Sequence, residues 1–202
     1  MGQRLTYLLL VVLAGCTTNP QPFPIPGPDV EKVFMSLASL GGSSEVAGLP
    51  GAASADVDEI VFLNPSRKIE VRVPAHADGS FVLELAWSSG EPLLMWAERD
   101  GARSDRVAVQ LPPTLKSKRL DPTVNVTSPA GGMVTVSGTV EPGDRVIVGN
   151  KTQGAASSAL AGASGDYSVA ISGAVGDRLA VFAIDLSNRE STAAVEVTVP
   201  GP

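Results

Sequence analysis

Few side chains in this 202-residue chain could do chemistry. There is one cysteine, Cys16, and one histidine, His76. With no second histidine and no spare cysteine, His/Cys metal sites and Cys–His dyads are excluded. A Ser–His–Asp triad lacks a GxSxG context. His76 sits in the turn-like stretch AHADGS and is expected at the surface. Aspartates gather in turns: Asp56, Asp58, Asp78, Asp100 and Asp105, then Asp144, Asp166, Asp177 and Asp185. Calcium wants several oxygen ligands, but no D-x-[DN]-x-[DN]-G loop occurs, and turn aspartates commonly bond their own backbone. No catalytic residue, metal or cofactor is therefore expected, and the one reactive group to explain is the Cys16 thiol.

Its setting explains it. The apolar run Leu8–Ala14 follows Arg4 and is too short to span a bilayer, which takes roughly twenty residues. It has the length of a secretory signal core and ends in small residues. The stretch Leu13-Ala14-Gly15-Cys16 resembles the lipobox of bacterial lipoproteins. That resemblance implies cleavage before Cys16, a thiol joined to diacylglycerol, and an acylated new amino terminus. Several acyl chains give lasting attachment where one gives marginal binding. Thr17 stands where an aspartate would favour inner-membrane retention, so the resemblance implies the outer membrane.

The segment Asn19–Pro28 carries proline at nearly every second position and is expected to form a stiff polyproline II tether. Residues 1–15 hold one arginine and no acid, so their removal takes the net charge from −6 to −7. An acidic body is a poor binder of phosphate backbones, so no nucleic-acid partner is expected. Without another cysteine, stability must come from apolar cores.

The elements that carry these residues are written twice. At a shift of 86, residues 55–111 lie over 141–197: Asp58 on Asp144, Asn64 on Asn150, Gly79 on Gly165, Gly90 on Gly176. Upstream, a shift of 90 puts Gly41-Gly42 on Gly131-Gly132 and Val46 on Val136. Each copy reads as short strands. SFVLELAW and DYSVAIS alternate, while PLLMWAER and RLAVFAID are apolar on both faces and suit central strands. Turn signals such as ADGS, SSGE, ASGD and AVGD separate them, and no stretch holds a helical period.

About seven short strands in some 80 residues suggest a sandwich of two sheets. VSGTVEPGDRVIV, GDYSVAI and GDRLAVFAID followed by SNRES resemble the bacterial immunoglobulin-like modules found in tandem on cell surfaces. Asn188 stands where those modules usually carry glycine. The expected fold is all-β: two tandem Ig-like antiparallel sandwiches at 30–112 and 123–202, after a signal peptide (1–15) and a lipidated tether (16–29). The linker 113–122 has prolines at both ends and is expected to act as a hinge.

If Leu93, Met95 and Ala97 face the core, Trp96 points outward, as does Phe182 in the second copy. These two rings, with Trp87 at a strand end, are the candidate partner-binding residues, able to stack on a sugar or meet a protein. Alternatively they cover their own sheet or pack between modules. The sequence thus reads as a lipid-anchored, outer-membrane, non-enzymatic binding or spacer module for an envelope protein or polysaccharide. The alternatives are a structural subunit of a motility, secretion or adhesion assembly, and a glycosidase using carboxylates alone.

Overall fold

The structure, a computed structural model, describes residues 24–39, 42–87, 90–109, 116–117, 121–187 and 190–202. The expected signal segment, Cys16, the start of the expected tether, Asn188 and most of the 113–122 stretch lie outside them. Among the described residues the chain is all-β, and its one helical element is a 3-10 turn at Val30–Lys32.

The first half holds β1 (Val33–Met35), β2 (Ser43–Gly48), β3 (Glu59–Asn64), β4 (Ile69–Pro74), β5 (Phe81–Ala86), β6 (Leu94–Arg99), β7 (Ala102–Arg103) and β8 (Val107–Ala108). A linker strand, β9 (Lys116–Ser117), follows. The second half holds β10 (Asn125–Val126), β11 (Met133–Thr139), β12 (Arg145–Asn150), β13 (Ala156–Leu160), β14 (Asp166–Ser172), β15 (Arg178–Asp185), β16 (Glu190–Ser191) and β17 (Val195–Thr198).

They form four sheets. In the first sandwich β1-β2-β5 faces β4-β3-β6-β7, with β8 also on β6. In the second, β10-β11-β14 faces β13-β12-β15-β16-β9, with β17 also on β15. The apolar alternation aims inward as expected: Phe81, Leu83 and Leu85 meet Ile60, Phe62 and Met95 in one core, and Tyr167, Val169 and Ile171 meet Val146, Val148 and Val181 in the other.

The duplication extends to individual hydrogen bonds. The Asn64 side-chain oxygen accepts from the amides of Ser66 and Arg67, and that of Asn150 from Thr152 and Gln153. Ala75 N–H donates to the Asp58 carbonyl and Ala161 N–H to that of Asp144, again 86 residues apart. Gly79 and Gly165 both have positive φ. A Cβ there would lie 2.0 Å from the Ala53 carbonyl oxygen or 2.3 Å from that of Val140, so only glycine fits.

Two expectations are corrected. β5 was read as half-buried, yet outward Val82 is buried as well, because a second sheet covers that face. The linker was read as a hinge, yet Lys116–Ser117 pairs in parallel with Glu190–Ser191. The prolines flank that dipeptide and leave its own amides free to join the sheet.

Candidate functional site

The two sandwiches meet face to face. The outer face of β1-β2-β5 gives Phe34, Ala47 and Val82, and the outer face of β12, β13 and β15 gives Ile147, Ala156, Phe182 and Ile184. Together these make a third apolar layer between the two cores, so β2, β12 and β15 are buried on both faces. Gly149 permits the close approach, since a Cβ on it would stand 2.8 Å from a Val82 methyl. Backbone bonds stitch the rim. Leu37 N–H donates to the Thr192 carbonyl, and Ala156 N–H to the Ser80 hydroxyl. The Arg145 guanidinium lies 5.8 Å from the centre of the Phe34 ring.

At one edge of this seam five charges converge. Glu45 and Glu84 are directly paired across β2 and β5, like charges on one face. Lys151, just beyond β12, places its Nζ 2.5 Å from Glu45, 3.2 Å from Glu84 and 2.6 Å from Glu196 of β17. Arg178 holds the second oxygen of Glu196 at 2.8 Å. A cleft of about 180 Å³ opens beside the cluster, lined by Ser36, Leu37, Ser43 and the three glutamates among others.

The ionisation of these groups follows from their partners. Burial holds Glu45 above the usual carboxylate range in spite of its Lys151 contact. Ser43 and Lys151 hold Glu84 below it, and Lys151 and Arg178 do the same for Glu196. Burial pulls the Lys151 ammonium down, but its bonds to Glu196 and Glu45 outweigh this and raise it.

Depressed carboxylates stabilise the fold above their unfolded value and lose that contribution as pH falls through their folded value. Glu45, raised, works in the opposite sense and takes its proton first. Stability measured by urea unfolding is therefore expected to rise as pH is lowered towards 4.5, the ordinary glutamate value, while Glu45 takes its proton, and to fall below it as Glu84 and Glu196 protonate. Lys151→Met is expected to flatten that acid limb; an unchanged limb would assign it to other carboxylates.

The aromatic candidates take the second of the placements that the sequence left open, packed within the protein. Trp96 does point away from Leu93, Met95 and Ala97, which line the first core. It is nevertheless only 1% exposed. Arg106 and Arg103 lie over its ring at 4.8 and 6.0 Å, and its Nε1–H donates to Glu98 at 2.8 Å. Phe182, the matching residue, is 1% exposed because the first sandwich covers it. Trp87 is 3% exposed, belongs to the first core and donates to the Glu91 carbonyl. None of the three is open to a partner in this arrangement. The directions of Trp96 and Phe182 and the alternative of packing between modules were readable in the sequence, but not which residues cover them.

Three of the turn aspartates accept from amides of their own turns. Asp78 accepts from the Ser80 amide, Asp185 from that of Ser187, and Asp177 from that of Ala174. His76 is partly exposed, with Nδ1 3.0 Å from Asp78. Among the described residues, the three-carboxylate group close enough to share an ion is Glu45, Glu84 and Glu196. Sequence reasoning overlooked it, because its members come from three strands. A local signal did exist in β5, where Glu84 is the one charged residue of an otherwise apolar strand.

Residues 121–201 match the family model described as a bacterial Ig domain. No curated protein matches the chain. Solved structures similar to it include the BSP domain of a biofilm associated protein, 17% identical with a TM-score of 0.32 over 84% of this chain. This chain spans 29% of that one. A two-domain fibronectin type-III segment of chicken tenascin is 15% identical with a TM-score of 0.30, covering 87% of this chain and 99% of its own. The human OSCAR ligand-binding domain is 9% identical with a TM-score of 0.32, covering 87% and 100%.

Proposed function

We propose that this chain, with a bacterial Ig domain at 121–201, is a lipid-anchored, non-enzymatic binding module of the bacterial envelope, held in the outer membrane through Cys16 and contacting a protein partner. The observation that carries the reading is the succession of a lipobox-like Leu13-Ala14-Gly15-Cys16, a proline tether and an all-β body. A protein partner is preferred to a polysaccharide because every Phe, Tyr and Trp ring among the described residues is buried, which leaves no such platform for a sugar face. The large apolar side chains that are exposed among the described residues, Ile69, Met133, Leu160, Val175 and Leu186, carry no ring.

Radiolabelled palmitate given to cells is expected to enter the wild-type protein and to be lost from Cys16→Ser. Label retained by Cys16→Ser would contradict the anchor. Crosslinking in intact cells, followed by solubilisation and pull-down, is expected to recover a protein adduct. Recovery of polysaccharide instead would reverse the choice of partner.

A further inference from the structure

The cluster at the seam has the outline of a cation site that already holds a cation of its own. Glu45, Glu84 and Glu196 each bring an oxygen within 4.8 Å of the others, two from the first sandwich and one from the second. Calcium bound between modules takes such a set of carboxylates, completed by hydroxyls and water to roughly six to eight oxygens. Here the Lys151 ammonium contacts all three carboxylates instead.

A second observation concerns Glu45. Its side chain is only 6% exposed, one oxygen bonds Lys151, and the other, Oε2, is buried with no hydrogen-bond partner. Glu45 lines the adjoining cleft, together with Ser43, whose hydroxyl already donates to Glu84 at 2.5 Å. Burying a carboxylate oxygen unpaired is costly, and a cation among these three carboxylates would supply the partner that Glu45 Oε2 lacks.

Charge points the same way. Three carboxylates facing Lys151 and Arg178 leave one negative charge. Without Lys151 they leave two, which a divalent cation would neutralise.

We propose that Lys151 is a tethered substitute for a bridging divalent cation: its ammonium joins the two sandwiches where a metal would otherwise be required, and its removal turns the Glu45–Glu84–Glu196 triad into a calcium site. The native seam is then locked independently of calcium, by a residue of the second sandwich reaching two glutamates of the first.

The test uses the full chain with calcium as the probe. Thermal unfolding and calorimetric titration are run on wild type, Lys151→Met and Lys151→Gln, in chelator and in calcium. The wild type is expected to unfold at the same temperature in both and to show no saturable binding. The two variants are expected to unfold roughly 3–6 °C lower in chelator and to regain most of that in calcium. They are also expected to bind calcium at least tenfold more tightly than the wild type. Adding Glu45→Gln to Lys151→Met is expected to abolish the recovery, which separates the triad from non-specific salt effects.

A saturable rise in the wild-type unfolding temperature with calcium would overturn the proposal, since lysine would not be keeping the metal out. So would the lack of a calcium response in both Lys151 variants, whether they are folded or not.

Discussion

Phe182→Ala is expected to lower the unfolding free energy by about 3–5 kcal/mol, the range for truncating a large ring in a well-packed interior. The expectation follows from its place between the sandwiches. Phe182 is buried beside Ile147 and Ile184 and covered by Phe34, Ala47 and Val82 of the other module. An outward ring on an isolated sandwich would cost little to remove. Urea unfolding followed by tryptophan fluorescence separates the cases well, because Trp87 and Trp96 both lie in the first sandwich. A seam that is packed in solution transmits the loss to those reporters, although the mutated residue is in the second. A change below about 1 kcal/mol would mean that the two bodies part readily and the third apolar layer is not formed.

The second large effect is expected at Asn150. Its side chain is fully buried. Nδ2 donates to the Ser172 carbonyl and to Asp177, and Oδ1 accepts from the amides of Thr152 and Gln153. Asn150→Ala removes all four bonds and takes from the buried Asp177 carboxylate one of the donors that keep it charged. Burial raises the Asp177 carboxyl, while Asn150, the Ala174 amide and Gln153 together outweigh it and hold it below the ordinary value. The expected loss is about 3 kcal/mol, from several stranded polar groups at roughly 1–3 kcal/mol each where water cannot fully replace the partner.

The sister substitution Asn64→Ala is expected to cost less. Its acidic partner, Glu91, has a side chain 22% exposed, so water can take over part of the role. Equal losses at the two sites would show that solvent access does not set the difference.

How far the sequence could be read depended on how local each signal was. Strand alternation and turn glycines act over a few residues. For that reason the shift of 86 carried through to the matched bonds of Asn64 and Asn150 and to the crowded Gly79 and Gly165. The direction of Trp96 and Phe182 was legible for the same reason. What covers them was not. Arg106 reaches the Trp96 ring from beyond the next short strand, and Phe182 is covered by residues a hundred or more positions away. Lys151 lies 106, 67 and 45 positions from its three glutamates, and no periodicity spans such gaps.

One trace of the seam was nevertheless present. Ile147 and Phe182 face each other on strands that are apolar on both sides, whereas the matched pair Val61 and Trp96 is sealed by arginines from its own module. The same face of a duplicated unit is docked in one copy and capped in the other, and only the folded chain distinguishes them.

The stacking of the sheets also sets the stature of the body. Four layers about 10 Å apart make it about 30 Å wide between the outermost sheets, while its longest strand, eight residues of about 3.3 Å rise, is only about 26 Å tall. Two modules joined end to end would stand nearly twice as high on half the footprint. A squat block of this kind gains breadth and stiffness rather than reach.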